Sequence, residues 1–293
     1  MLPALIESMR PKQWIKNGII FAALVFDVQL FRVQPFLRTL AGFVILCALA
    51  SAVYLFNDLV DIEKDRLHPK KRFRPLAAGR LSKNVALAVA VLLPLVAIPL
   101  SFLLDWRFGL VAGVYLITNV LYSFWLKNVV IVDVLLLAAG YVLRVAAGVA
   151  LITVERFSPW LYICITLLAL FMGFGKRRGE LVLLGDAPPG GSRKVLQDYT
   201  LAYLDELINI VSTATIMAYS LYTFSAPNLP DNHAMMLTIP FVLYGIFRYL
   251  FLIHIKGEGG APDELVLTDR PLQITFVLWG LSALAVLYLN KPG

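Results

Sequence analysis

The chain has 293 residues, of which 59% are hydrophobic and 15% charged, with a formal net charge of +7. Its mean hydropathy of +0.77 excludes a soluble fold, since soluble domains run nearer half apolar and a quarter charged. The basic excess sits at the ends of apolar runs, which excludes a nucleic-acid surface, and two cysteines inside such runs, Cys47 and Cys164, support neither a disulfide framework nor a metal cluster.

The opening MLPALIESMRPKQW carries an acidic residue and no cleavage-site pattern, so no removable signal peptide is expected. Apolar runs then fall at about 15–31, 38–57, 84–104, 108–126, 130–152, 159–175, 201–224, 234–255 and 271–289. A span needs roughly twenty residues, so the expectation is an all-α polytopic membrane protein with nine transmembrane helices. The first run is short and contains Asp27; the third contains Pro94 and Pro99, which predict a bend. With the N-terminus inside, nineteen Lys and Arg fall on inner segments and five on outer ones. That asymmetry predicts a cytoplasmic N-terminus and an outer C-terminus. The polar segments 58–83, 176–200 and 256–270 then open to the cytoplasm, and no soluble domain is inserted. One membrane domain over 1–293 is expected, with its chemistry at the cytoplasmic mouth.

The densest polar stretch is Asn57–Pro75, NDLVDIEKDRLHPKKRFRP, at the end of the second run. Asn57, Asp61 and Asp65 are four apart and Asp58 lies three before Asp61, so a helix stacks them along one face. Carboxylates that close repel and call for a counter-cation. Oxygen donors without His or Cys favour a hard ion, and Mg²⁺ shared with a diphosphate fits best. The competing reading is a solvated helix end with a basic cytoplasmic loop.

A second polar site, FGKRRGE at Phe174–Glu180, closes the sixth run, with Lys176 and Glu180 one turn apart. It reads as a phosphate clamp or as a basic headgroup anchor. Asp198 precedes the seventh run, where a carboxylate can orient a cation, bind a sugar hydroxyl or simply favour a helix start. Arg144 and Arg248 lie within spans and need partners, Asp27 being one conceivable partner.

Taken together, RPKQWIKN at Arg10–Asn17, the run Asn57–Gly79, GKRRGEL at Gly175–Leu181 and DRPL at Asp269–Leu272 resemble the decaprenyl-phosphate phosphoribosyltransferase family, within the UbiA-type intramembrane prenyltransferases. The resemblance covers nearly the whole chain. It implies a UbiA-type bundle in a bacterial inner membrane and Mg²⁺-dependent transfer from 5-phosphoribosyl 1-diphosphate to a polyprenyl phosphate, feeding cell-wall arabinan. Aromatic prenyltransferases of this superfamily carry a second aspartate-rich motif where this chain has Lys176, Arg177 and Arg178. Cations there suit a donor with a free phosphate monoester.

On this reading Asn57, Asp58, Asp61 and Asp65 hold the metal, the three aspartates serving catalysis, and Lys70, Arg72 and Arg74 add charge to the diphosphate. Lys176 and Arg177, with Glu180, hold the 5-phosphate, while Lys12, Lys16 and Asn17 meet the acceptor headgroup. A homo-oligomer is compatible with the sequence. The rival readings are a prenyltransferase using a prenyl diphosphate donor and a non-enzymatic lipid transporter; polar residues concentrated at one membrane face count against transport.

Overall fold

The computed structural model describes residues 1–67, 71–154, 158–184, 194–227, 229–258, 265 and 268–289. The expectation for Lys70 therefore lies outside the described residues. Among the described residues every regular element is helical. In order these are α1 (Leu2–Met9), a 3₁₀ segment (Pro11–Phe21), α2 (Ala22–Phe26), α3 (Val33–Val60), α4 (Ile62–Leu67) and α5 (Lys83–Leu104). Then follow α6 (Trp106–Phe124), α7 (Val132–Leu151), α8 (Pro159–Leu184), α9 (Leu201–Ser225), α10 (Ile239–His254) and α11 (Arg270–Leu289). Eight helices among the described residues are long and apolar enough to cross a bilayer.

The expected first span is built differently. Arg10 adopts a left-handed conformation (φ 53°) between α1 and the 3₁₀ segment. Eleven residues of 3₁₀ helix at about 2.0 Å each, continued by α2 at about 1.5 Å per residue, reach roughly 30 Å. That is one hydrocarbon thickness.

The long helices have the inside-out character that lipid permits, because all their backbone groups are satisfied internally. α5 turns Leu87, Leu92, Leu95 and Leu103 outward and buries only Ala86, Ala90, Ala97 and Ser101. Small residues on the protein-facing side let helix backbones approach closely, and α5 packs mainly on α3. The helix continues through Pro94 and Pro99. At its end a single residue, Asp105, separates it from α6, caps α6 through the Arg107 amide at 2.9 Å, and pairs with Arg38 of α3 at 3.1 Å.

The chain gathers into two compact units. One comprises Met1–Val25, Gln29–Lys127 and Gly140–Val154; the other comprises Phe26–Val28, Asn128–Ala139 and Glu155–Gly293. The core of the first is built on Ile20, Leu46, Leu49, Phe108, Tyr115 and Leu151. The core of the second is built on Val134, Phe171, Phe174, Leu204, Ile208 and Leu252.

Candidate active site

In the first unit α3 ends at Val60, Asp61 takes a turn conformation (φ −97°, ψ 10°), and the chain resumes helix in α4. Helix-like hydrogen bonds bridge the break, from the Asp61 amide to Asn57 O and from the Asp65 amide to Asp61 O. Asp58 and Asp65 are both buried, at 2% and 3% exposure. A buried carboxylate needs a cation, and Arg74 supplies it to both, its Nη1 donating to Asp65 Oδ2 at 2.6 Å and to Asp58 Oδ1 at 3.2 Å. Arg10 donates to Asp58 Oδ1 from the other side at 2.5 Å, and its guanidinium lies over the Tyr54 ring. The left-handed backbone of Arg10 is thus held at a charged contact, where such conformations tend to be retained.

The expected single ladder of carboxylates is corrected in one respect. The turn rotates Asp61 out of line, and it accepts from Lys127 Nζ at 3.3 and 3.4 Å rather than joining Asp58 and Asp65 on Arg74. Among the described residues no three His, Cys, Asp or Glu side chains gather closely enough to hold a metal ion. The donors are nonetheless all hard oxygens, and the Arg contacts of Asp58 and Asp65 use one carboxylate oxygen of each. That donor chemistry fits a hard divalent ion. Asn57 is half-buried, while Arg72 is exposed and its guanidinium lies over the Phe73 ring.

In the second unit the expected clamp is also built differently. Arg177 is fully buried, its Nε donating to Asp133 Oδ2 at 2.5 Å and its Nη1 to Glu180 Oε2 at 2.6 Å. With its charge committed to two carboxylates, Arg177 holds α8 together with the start of α7 instead of presenting a free guanidinium to phosphate. The Tyr199 hydroxyl donates to Asp133 Oδ1 at 2.9 Å and accepts from the Ile131 amide at 2.7 Å. Burial, reinforced by Asp133, pushes its phenol well above the ordinary value, so it stays a donor. Arg178 pairs with Asp205 at 2.5 Å, Lys176 is half-buried, and Asp198 is exposed on the turn before α9.

Of the expected acceptor contacts, Lys12 is exposed and Lys16 half-buried. Asn17 differs from the expectation in its setting. It is 1% exposed, donating to Cys47 Sγ at 3.3 Å and accepting from Arg144 Nε at 2.7 Å, so it lies within the protein rather than at a headgroup surface. Arg144 is accordingly partnered by Asn17, the Tyr115 hydroxyl and Gly140 O, not by Asp27. Arg248 pairs with Asp269 at 2.8 Å.

The model of the UbiA prenyltransferase family matches residues 19–177, more than half of the chain. The chain belongs to the UbiA prenyltransferase family. Within it, the decaprenyl-phosphate phosphoribosyltransferase of Corynebacterium glutamicum is 36% identical over 97% of this chain and 87% of the relative. That of Mycolicibacterium smegmatis is 33% identical over 95% and 91%. This branch of the UbiA family is where the chain belongs, and it is a transferase embedded in a membrane by several spans. The fold agrees with a solved UbiA homolog from Archaeoglobus fulgidus bound to DMAPP and Mg²⁺, with a TM-score of 0.73 at 18% identity, covering 97% of this chain and 98% of that one.

Five polar partners in this UbiA-family chain escaped the sequence reading: Arg10, Tyr115, Lys127, Asp133 and Tyr199. Asp133 carried a usable signal, a carboxylate inside an otherwise apolar run, VVIVDVLLL. Such a charge faces inward toward a partner.

Proposed function

We propose that the protein transfers 5-phosphoribosyl from phosphoribosyl diphosphate to a polyprenyl phosphate and releases diphosphate. The observation that carries this is identity of 33–36% to decaprenyl-phosphate phosphoribosyltransferases over nearly the full length of both partners. Lys176, in the place where aromatic prenyltransferases of the superfamily carry carboxylates, supports the same reading.

Asp58 and Asp65, with Asn57 and Asp61 beside them, would hold Mg²⁺ on the donor's diphosphate. When bound, the ion neutralises charge that builds on the leaving group. Arg74 and Arg10 lie against the same carboxylates, so they are placed to turn their charge onto a diphosphate that enters there. Lys127 does the same beside Asp61. The Asp133–Arg177–Glu180 network fixes the turn of α8 that carries Lys176, which takes the 5-phosphate. Lys12 and Lys16 line the approach of the acceptor headgroup. A phosphate monoester is anionic near neutral pH, so no strong base is needed and catalysis rests on positioning and electrostatics. The charge asymmetry of the loops supports a bacterial inner-membrane protein with this site toward the cytoplasm, where a phosphoribosyl diphosphate donor is available.

Purified protein given labelled phosphoribosyl diphosphate, polyprenyl phosphate and Mg²⁺ should produce a labelled lipid. Label that stays in the aqueous phase, with turnover seen instead on a prenyl diphosphate and a small acceptor, would replace this reading by prenyl transfer.

A further inference from the structure

Within the first unit, the 3₁₀ segment and α3 meet through a descending series of polar pairs. Arg10 donates to Asp58, Trp14 Nε1 donates to Ser51 Oγ at 3.0 Å, and Asn17 Nδ2 donates to Cys47 Sγ at 3.3 Å. Cys47, Ser51 and Asp58 follow one face of α3 at spacings of four and seven residues. The series ends on Arg144. Its Nε donates to Asn17 Oδ1 at 2.7 Å, its Nη1 to Gly140 O at 2.7 Å and its Nη2 to Tyr115 Oη at 2.9 Å. Gly140 makes room for this, since a Cβ there would stand 3.3 Å from Arg144 Nη1.

Every one of these acceptors is neutral, and Arg144 is only 8% exposed in the middle of a membrane-spanning helix. Among the described residues no carboxylate forms an ion pair with it. A guanidinium does not deprotonate in a protein, and it carries five N–H donors. Three are used here, which leaves one on each terminal nitrogen. A charge buried in a spanning helix ordinarily faces a counter-charge or a substrate path. The Tyr115 and Tyr141 rings, 4.9 and 5.6 Å from the guanidinium carbon, meet part of its charge through their faces, but neither they nor the hydrogen-bond acceptors supply a counter-ion.

We propose that Arg144, with Tyr115 and Asn17, binds a phosphate monoester, that of the lipid acceptor. The two remaining N–H groups take phosphate oxygens and the guanidinium meets their charge. This rests on the phosphoribosyl-transfer reading. Cys47, at the level of Arg144, and Asp58 are eleven residues apart on α3, about 16 Å at 1.5 Å per residue. A diphosphate held at Asp58 and a second phosphate held toward Arg144 then stand on opposite sides of the sugar carbon being transferred. The place of Arg144 within a membrane-spanning helix favours a phosphate carried on a lipid over the donor's own 5-phosphate, which shares the same chemistry.

Steady-state kinetics on the full-length protein in detergent separate the sources. Arg144→Gln should raise the acceptor KM roughly ten- to hundredfold, as loss of a charge-assisted phosphate contact does, and leave the donor KM within about twofold. Arg144→Lys should recover part of the loss. Independently of turnover, the wild type should bind farnesyl phosphate in preference to farnesol, and Arg144→Gln should lose that preference. Tyr115→Phe, which removes a partner orienting the guanidinium, should raise the acceptor KM severalfold, and it decides the matter if Arg144→Gln does not fold. An unchanged acceptor KM in Tyr115→Phe and Arg144→Lys, a rise in donor KM instead, or a phosphate preference that survives Arg144→Gln would overturn the proposal. Absence of phosphoribosyl transfer in the wild type would instead remove the reading beneath it, while the farnesyl phosphate comparison would still test the anion site.

Discussion

Arg177→Met should be the most destabilising single polar substitution in the second unit. Arg177 and Asp133 are both at 0% exposure, so removing the guanidinium leaves a carboxylate with no access to water, the Tyr199 hydroxyl as its remaining side-chain donor, and Glu180, a like charge, stripped of the same cation. Breaking a buried pair from one side costs about 3–5 kcal/mol, because the survivor's desolvation is no longer offset. At about 2–4 °C per kcal/mol for a body of this size, the melting temperature should fall by roughly 6–20 °C. The double variant Asp133→Asn with Arg177→Met should recover a substantial part of the loss, since no charge is left buried at position 133. Thermal melting of the two singles and the double in one detergent supplies the cycle. A melting temperature for Arg177→Met within about 1 °C of wild type, or a double variant less stable than the sum of the singles, would refute the reasoning.

Other outcomes follow from the same contacts. Asp58→Asn should abolish transfer with the melting temperature retained within a few degrees; activity within a few-fold of wild type would show that Asp58 serves only its ion pairs with Arg10 and Arg74. Lys176→Ala should weaken donor binding roughly ten- to hundredfold, and an effect confined to the acceptor would assign Lys176 to the wrong phosphate. The Arg248 hydrogen bonds hold Asp269 below the usual carboxylate range. The stability it contributes is therefore present above about pH 4 and is lost as pH falls through its lowered pKa. The melting difference between wild type and Asp269→Asn should shrink on acidification; a difference that grows would contradict the pairing. With Cys47 and Cys164 replaced by alanine, Ala78→Cys should resist an impermeant thiol reagent in intact cells and react after lysis. Labelling from outside would invert the proposed orientation.

Much of the fold was legible because its signals are local. Apolar runs of about twenty residues mark their own spans, whereas the break at Asp61 was not read, because the spacing of Asn57, Asp58, Asp61 and Asp65 is that of an unbroken helix. The 3₁₀ winding of Pro11–Phe21 was not legible, since an apolar run of that length does not specify its pitch. The acidic site was legible for the same local reason: Asp58, Asp65 and Arg74 lie within one stretch. Its distant members were not. Lys127 is 66 positions from Asp61, Arg144 is 127 from Asn17, and Arg177 is 44 from Asp133. A sequence shows that each buried charge needs a partner but not which one, and so Asp27 stood only as one conceivable partner of Arg144 or Arg248, and Arg177 was read as a phosphate contact with no sign of its burial. Both gaps have one physical root: burial decides whether a cation meets a ligand or a neighbouring carboxylate, and burial is a property of the packed helices.

The central claim is tested most directly by the chemical make-up of the lipid product. Mass spectrometry of the product from unlabelled polyprenyl phosphate and phosphoribosyl diphosphate should show a lipid carrying one pentose and two phosphorus atoms, formed one for one with free diphosphate. A lipid whose mass is unchanged, or a prenyl group joined to a small acceptor with the phosphoribosyl diphosphate intact, would contradict it.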